Sequence, residues 1–203
     1  PNDDNTGSEL LRTTVIFETG TYIHVLLQNL CKRAGCLVRR EVAIQNSVRG
    51  ILGHADGIIR IHKRKYLLEI KTINDRGFVM TTEVQEGHKK QIHAYMRELD
   101  LTAAVVLYYN KNTNALKEFV VPYDEDYYRK EVRGRIRLFN KAVEHRFLPD
   151  REGEIPTKYP CMFCDFNRLC FDSRALKSWC AINKVETVIP KKYAPKKEKT
   201  LYA

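Results

Sequence analysis

The sequence lacks any apolar run long enough for a membrane helix. A helix that spans a bilayer needs roughly 20 predominantly apolar residues, whereas the longest runs, such as Ala103 to Leu107, are only long enough for a strand. Nothing near Pro1 resembles a secretory signal peptide either. We therefore expect an intracellular, cytoplasmic protein that has no membrane partner.

Acidic residues are scarce relative to basic ones. The 203 residues include 35 Lys and Arg against 25 Asp and Glu, which gives a formal net charge of +10. Such an excess favours a polyanionic partner, because neutralising phosphates releases counterions. Charge alone leaves RNA, anionic membrane surfaces and ordinary solubility open beside DNA. No helix-turn-helix or zinc-finger reading pattern is present, so we expect DNA binding to be independent of sequence.

Four of the six cysteines lie within 20 residues near the end of the chain. In a reducing compartment, clustered cysteines bind metal more often than they form disulfides. The Cys161-x2-Cys164 spacing lets two thiolates hold one metal centre, and Cys170 and Cys180 follow after five and nine residues. Four thiolates suit Zn²⁺ as well as an iron–sulfur cluster. The alternative is a group of buried free thiols.

The pattern of apolar and turn residues predicts helices and strands in a definite order. Residues 1–13 are polar and predict a loose N-terminus, and a helix is expected from Thr19 to about Arg33. The next segments are an antiparallel meander of three strands (37–45, 48–61 and 66–71), a loop (72–82) and a helix (83–99). A strand hairpin (103–109 with 116–121) and a long helix (125–145) follow. This order predicts a mixed α/β (α+β) domain with a central sheet flanked by helices.

The composition changes after this domain. We expect a core at residues 1–148, a cysteine-rich metal-binding segment at 149–189 and a basic tail at 190–203.

The most informative residues lie on two neighbouring predicted strands. Asp56 falls on one strand, and Glu69 and Lys71 lie near the end of the next, where strand alternation puts both on one face. Two carboxylates can hold a hard cation such as Mg²⁺, which polarises a phosphate and lowers the pKa of an attacking water. Lys71 can position that water or stabilise charge on the phosphoryl oxygens. The alternative for an isolated Glu-x-Lys is a surface pair on a half-exposed strand.

Two predicted helices supply further polar candidates. His24 offers a nitrogen ligand that favours Mn²⁺ over Mg²⁺, although a lone histidine on a helix is more often simply packed. Gln91 and Tyr95 lie four residues apart and therefore share a helix face. They can hold a phosphate or stack a base of a single strand. Ordinary polarity of a helix surface is the alternative.

Four segments, in the correct order between residues 19 and 170, resemble one nuclease family. Asp56, twelve residues and then Glu69-Ile70-Lys71 resemble the core motif of PD-(D/E)XK nucleases. The RecB/AddB-type branch, which includes the CRISPR-associated exonuclease of spacer acquisition, supplies the other three likenesses. They are the early helix at Gly20 to His24, the Q-x-x-x-Y motif at Gln91 to Tyr95 and the iron–sulfur signature at Cys161 to Cys170.

This resemblance implies a restriction-endonuclease-like core and a metal-dependent deoxyribonuclease, with exonuclease action on single-stranded or frayed ends. It implies that His24, Asp56, Glu69 and the Ile70 carbonyl hold Mg²⁺ or Mn²⁺. Lys71 would assist the water attack, and Gln91 and Tyr95 would position the strand. The host would be a bacterial, archaeal or phage-infected cell. A homo-oligomer or a larger DNA-processing complex remains possible.

The resemblance also implies a 4Fe–4S cluster, with one departure from the family pattern. The family places a cysteine ahead of His24, whereas residues 1–23 contain none. The fourth ligand would then be Cys180, Cys31 or Cys36, or lie upstream. With Cys180 the site would be a self-contained set of four thiolates, for which zinc is the rival metal.

Two other functions stay open beside the exonuclease. A structure-selective endonuclease would use the same metal centre, since the chemistry is identical. A non-catalytic DNA-binding subunit stabilised by its metal cluster is the second alternative, and the intact Asp56, Glu69 and Lys71 argue against it.

Overall fold

A computed structural model describes residues 4–46, 50–151 and 153–187. The chain divides into two compact units, Pro1–Arg133 and Gly134–Ala203. The basic tail expected at 190–203 and the expected start of the second strand at Val48 lie outside the described residues. The expected boundaries at 148 and 189 stay predictions.

The first unit is built on a five-stranded mixed sheet, which confirms the mixed α/β class. Its strands stand in sequence order, and only β3 and β4 run parallel to each other. The antiparallel meander and the later hairpin are also confirmed. The strands are β1 (Leu37–Asn46), β2 (Ile51–Ile61), β3 (Arg64–Ile73), β4 (Ala103–Asn110) and β5 (Leu116–Pro122).

Helices cover the two faces of this sheet. Ile23 and Leu27 of helix α1 (Asp4–Arg33) pack against Leu68 and Ile70 of β3 in a buried apolar cluster. Side chains alternate along a strand, so Glu69 and Lys71 point to the opposite face. There Lys71 contacts the helix α3 (Glu86–Leu99). Glu69 and Lys71 of β3 thus face α3, whereas Leu68 and Ile70 face α1.

Helix α1 begins at Asp4, so residues 4–13 are helical rather than a loose N-terminus, and the expected helix start at Thr19 was wrong. Residues 1–3 of the expected loose N-terminus lie outside the described residues. The Thr19 hydroxyl does not cap a helix but donates to the Val15 carbonyl four residues earlier, 2.7 Å away. Thr14 makes the same kind of bond to Leu10. Threonine inside a helix often bonds back in this way. Apolar residues in this part of α1 are exposed on several sides, so no one-sided periodicity marks the helix in the sequence.

Two other segments differ from expectation in detail. The loop expected at 72–82 contains a short helix, α2 (Asp75–Met80), whose first turn is capped by the Asn74 side chain. The long helix expected at 125–145 is present but is not uniform. It consists of α4 (Glu125–Tyr127), a π-helical segment (Tyr128–Arg133) and α5 (Gly134–Glu144), of which α5 belongs to the second unit.

The second unit continues from α5 into the cysteine-rich segment. A 3₁₀ turn (Cys161–Phe163) is followed by α6 (Asn167–Phe171) and α7 (Ser173–Asn183). The Asp172 side chain caps α7 by accepting hydrogen bonds from the Arg174 and Ala175 amides. A bridge between Phe147 and Glu186 ties the end of this segment back to the residues after α5. Within the described ranges, no helix has both the length and the apolar character needed to cross a bilayer.

Candidate active site

Asp56 lies where β2 and β3 begin to separate. The antiparallel register runs from Ile61 opposite Arg64 to Gly57 opposite Leu68, and Asp56 and Glu69 are the residues next to this last pair. The Asp56 carboxylate also enters the gap between the strands, because the Ile70 amide donates a 2.6 Å hydrogen bond to Asp56 Oδ2. The two predicted acidic residues therefore lie together at one point of the sheet.

His24 reaches the same carboxylate from helix α1. Its Nδ1 lies 2.9 Å from Asp56 Oδ1, while the Ile70 amide binds the other oxygen. The hydrogen bond to Asp56 raises the pKa of His24, against the opposing effect of partial burial. A helix on one face of the sheet and an amide of β3 thus hold Asp56 between them.

Glu69 is a buried carboxylate that is incompletely compensated. Its side chain is 3% exposed, and its Oε1 forms a 2.7 Å ion pair with Lys71 Nζ. Its Oε2 is buried and has no hydrogen-bond partner in the described part of the chain. Burial, opposed by the Lys71 charge and reinforced by the Asp56 charge, raises the pKa of Glu69 to about 7. One ammonium group therefore does not offset the cost of burying this charge.

Lys71 connects the carboxylates to helix α3. Besides Glu69, its ammonium donates to Gln91 Oε1 at 3.0 Å, and Gln91 Nε2 lies 3.4 Å from the Tyr95 hydroxyl. The two helical residues predicted from their spacing thus continue one polar chain from Lys71. The Tyr95 ring rests against Gly53 of β2, where an added Cβ would come within 2.3 Å of the Tyr95 hydroxyl oxygen. Glycine at position 53 therefore makes room for Tyr95.

Sequence reasoning missed Gln28 and Glu41. Gln28 is 1% exposed, and its Nε2 donates to the Asp56 carbonyl at 2.9 Å and to Glu41 Oε1 at 2.5 Å. Glu41 has a φ of +49°, a left-handed conformation that is uncommon for residues other than glycine and is often associated with functional sites. Gln28 follows His24 by one helical turn, which is a signal available in the sequence. No sequence signal marks Glu41.

His88 lies one turn before Gln91 and forms part of the same region. The Tyr108 hydroxyl accepts a 3.1 Å hydrogen bond from the Gln85 amide and lies 2.7 Å from His88 Nδ1. The direction of the hydrogen bond between the Tyr108 hydroxyl and His88 Nδ1 follows the tautomer of the imidazole. Burial, followed by the nearby Lys71 charge, lowers the pKa of His88 to about 4. The imidazole therefore stays uncharged beside the Lys71 ammonium.

A cavity of about 620 Å³ opens beside Asp56 and His24. Phe17 and Thr21 of α1 line one part of it, and the basic residues Arg40 and Lys111 line another. A substrate can therefore approach the Asp56 carboxylate past two cationic side chains.

The donor set of this site fits a hard divalent ion. The buried, unpartnered Glu69 Oε2 and the neighbouring Asp56 carboxylate offer the oxygen ligands that Mg²⁺ and Mn²⁺ prefer. In this structure, Lys71 pairs with Glu69, and His24 pairs with Asp56. No three His, Cys, Asp or Glu side chains among the described residues enclose a metal position. The fit of this site to a divalent ion therefore rests on the uncompensated charge of Glu69 and on the carboxylate oxygens that such an ion prefers.

The four C-terminal cysteines do not form a metal site in this arrangement. Cys164 is exposed and Cys180 is buried within α7, and all four are free thiols. The turn that carries Cys161 is held by Asn167, whose Nδ2 donates to the Pro156 and Cys161 carbonyls at 2.7 Å each. The metal expected here stays a prediction, and no catalytic step depends on it.

Comparisons with known proteins add little to this geometry. No protein-family model matches the chain, and no curated protein matches it either. Among solved structures, the crystal structure of SSO0001 is similar at 20% identity and a TM-score of 0.49, covering 81% of this chain and 73% of that one.

Proposed function

We propose that this chain is a metal-dependent deoxyribonuclease of the PD-(D/E)XK superfamily, with a restriction-endonuclease-like core. The observation that carries the proposal is the Glu69 carboxylate. It is buried next to Asp56 with one oxygen unpartnered, and its only ion-pair partner in the described chain is Lys71. A structural ion pair has no need of a second carboxylate at its side, whereas a divalent-ion site does.

Asp56, Glu69 and His24 would hold Mg²⁺ or Mn²⁺, together with the carbonyl of Ile70. The N–H and C=O of one strand residue point to the same side, so the Ile70 carbonyl shares the side on which its amide meets Asp56. A bound divalent ion supplies charge that polarises the scissile phosphate and lowers the pKa of a water molecule. The resemblance of the sequence to the RecB/AddB-type branch supports this ligand set.

Lys71, Gln91 and Tyr95 act on the substrate in this proposal. The Lys71 ammonium is held between Glu69 and Gln91, which keeps it next to the place where charge develops on the phosphoryl oxygens. Gln91 and Tyr95 present an amide and an aromatic hydroxyl on the same helix face, suited to a phosphate and a base of a single strand. Their contacts carry no information about base identity, so binding is expected to be independent of sequence.

Nucleotide release from end-labelled DNA tests the proposed function. Wild-type protein is expected to release nucleotides with Mg²⁺ or Mn²⁺ and to stop in EDTA. Glu69→Gln and Lys71→Met are each expected to lower the rate by roughly 10²–10³-fold or more. Glu118→Gln, an exposed carboxylate of β5, is the matched control and is expected to keep the wild-type rate. Full activity in both Glu69→Gln and Lys71→Met would contradict the assignment of the site.

Substrates with blocked ends separate the two modes of cleavage. Exonuclease action on single-stranded or frayed ends is expected to disappear when both ends are blocked or the DNA is circular. Cutting of a circular, structured substrate would instead indicate the structure-selective endonuclease, with the same residues at the metal.

The cysteine segment is proposed to bind a 4Fe–4S cluster through Cys161, Cys164, Cys170 and Cys180, or zinc in its place. The Cys161-x2-Cys164 turn has thiolate chemistry suited to either metal. Visible absorption and metal analysis of anaerobically purified protein test this. A broad visible band indicates iron–sulfur, stoichiometric zinc without colour indicates the rival, and absence of both metals contradicts the proposal.

A further inference from the structure

Two segments that pair with each other contain many basic residues and no acidic one. Residues 29–40 and 57–68 have no Asp or Glu. Antiparallel pairing of β1 with β2 and of β2 with β3 brings the segments side by side, and the Arg60 amide bonds the Cys36 carbonyl at 2.7 Å. We call their eight exposed Lys and Arg side chains the basic track: Lys32, Arg33, Arg39, Arg40, Arg60, Lys63, Arg64 and Lys65.

None of these eight side chains forms an ion pair within the described part of the chain. The track even opposes like charges, since Arg60 lies directly across from Lys65. Like charges in that position destabilise a sheet. At the turn between β2 and β3, His62 and Lys63 both have positive φ, at +46° and +69°, a conformation that hairpin turns usually assign to Asn and Gly. The folded chain gains nothing from this repulsion and strain.

Several basic residues elsewhere in the first unit are compensated by acids or by an aromatic ring. Lys90 pairs with Glu86 and Glu131, and Arg129 pairs with Glu125 and Asp126. Lys89 lies over the Tyr127 ring. These residues of α3 and of the π-helical segment therefore serve the fold, whereas the eight side chains of the basic track form a concentration of uncompensated positive charge.

The track starts at the candidate active site. Arg40 lines the cavity beside Asp56, and its strand partner Gly57 is the residue after Asp56. Lys63 lies six residue steps after Gly57 along β2 and its turn, which corresponds to about 20 Å at the rise of a strand. That length matches about six phosphate steps along one strand of a duplex.

We propose that the basic track binds the phosphate backbone of the substrate on one side of the cleaved bond, through Arg40 at the cavity and Lys63 and Arg64 at the turn, since strand alternation turns Arg39, Arg60 and Lys65 to the other face of the sheet from Arg40. The proposal rests on the proposed nuclease function, and it states the direction from which the DNA approaches the active site. Binding through phosphates alone is independent of sequence and strongly dependent on salt.

Equilibrium binding of a long duplex with one frayed end, measured in EDTA, tests the track without hydrolysis. The double variant Lys63→Gln/Arg64→Gln removes two charges of the track. Arg97→Gln/Arg129→Gln removes two charges that are already paired with acids in the same unit. The track variant is expected to bind more weakly, and its log–log salt slope is expected to fall by about 1.8, or 0.9 for each lost phosphate contact. The control variant is expected to keep the wild-type slope.

A substrate of limited length sharpens the test. On a duplex arm shorter than about six base pairs, which cannot reach from the cavity to the turn, the track variant and wild type are expected to bind equally. An equal loss in both double variants, or an unchanged salt slope in the track variant, would overturn the proposal. So would binding to anionic phospholipid vesicles that depends on Lys63 and Arg64 when DNA binding does not. Absence of hydrolysis by wild type in Mn²⁺ would count against the nuclease alone, since binding in EDTA still measures the track.

Discussion

The amide of Ile70 donates a 2.6 Å hydrogen bond to Asp56 Oδ2, and so joins β3 to a side chain of β2 where the two strands separate. The carboxylate takes the place that a main-chain carbonyl would occupy in a continued ladder. Its second oxygen remains 2.9 Å from His24 Nδ1. Asp56 is thus fixed by the sheet and by α1 at once, beside Glu69. The geometry that would bind a cation is also part of what holds the fold together.

Replacing Asp56 tests this double role. Asp56→Ala leaves the Ile70 amide and His24 without their acceptor, at a cost of about 1–3 kcal/mol in unfolding free energy. Asp56→Asn keeps one acceptor oxygen and is expected to lose less stability, but to bind Mn²⁺ much more weakly. Urea unfolding in EDTA and Mn²⁺ titration measure the two effects. Equal stability losses in the two variants would contradict the structural part of this account.

The raised pKa of Glu69 predicts a pH-dependent stability in the absence of metal. Its pKa of about 7 in the fold exceeds its ordinary value of 4.5, because burial penalises the carboxylate. The folded state therefore binds this proton more tightly than the unfolded state does. Unfolding free energy is expected to fall as pH rises from about 4.5 to about 7, by at most about 3 kcal/mol at 1.36 kcal/mol per unit.

Unfolding curves of wild type and Glu69→Gln in EDTA across this pH range measure that contribution. Glu69→Gln is expected to remove the fall, while Glu118→Gln keeps it. Since a divalent ion competes with the Glu69 proton, metal binding is expected to tighten as pH rises through 7. Parallel pH profiles for wild type and Glu69→Gln would show that this carboxyl does not carry the effect.

The contact between Gly53 and Tyr95 predicts a coupled pair. A methyl group at position 53 would come within 2.3 Å of the Tyr95 hydroxyl oxygen, so Gly53→Ala is expected to cost about 1–3 kcal/mol. In a Tyr95→Ala background, the same change is expected to cost little. Gly87→Ala is the control, because nothing lies within 4 Å of its Cβ position. A double-mutant cycle of unfolding free energies measures the coupling, and additive effects would contradict the contact.

Gln28 is predicted to support Asp56 through its main chain. Gln28→Met keeps the shape but leaves the Asp56 carbonyl and Glu41 without their donor, at about 1–3 kcal/mol. Gln28→Glu adds a carboxylate next to Glu41 and is expected to cost more at neutral pH, with partial recovery in acid. The exposed Gln45→Met of β1 serves as control. Urea unfolding at both pH values measures this, and wild-type stability in Gln28→Glu at neutral pH would count against the network.

The sequence predicted the sheet and the meeting of Asp56 with Glu69, because strand alternation and a short hairpin leave few alternatives. Helix-face spacing likewise predicted that Gln91 and Tyr95 lie together. These are local rules that act over a few residues. The start of α1 was predicted wrongly, because exposed apolar residues between Leu10 and Phe17 hide the one-sided period that marks a surface helix.

Contacts that depend on tertiary packing were not predictable. Glu41 meets Gln28 across 13 residues only because its backbone takes a left-handed conformation within β1. Gly53 gave no indication that it makes room for Tyr95, 42 residues later in the chain. The sequence alone does not distinguish the basic track from the other Lys and Arg residues. That distinction needs the ion pairs of α3 and the π-helical segment, which only the structure shows.

Anomalous scattering from crystals grown with Mn²⁺ tests the central claim most directly. The account predicts a manganese ion in direct contact with Asp56 and Glu69 Oε2, with Lys71 turned toward Gln91, and the loss of this ion in Glu69→Gln. Manganese bound elsewhere with Glu69 still paired only to Lys71, or no manganese at saturating concentration, would contradict it.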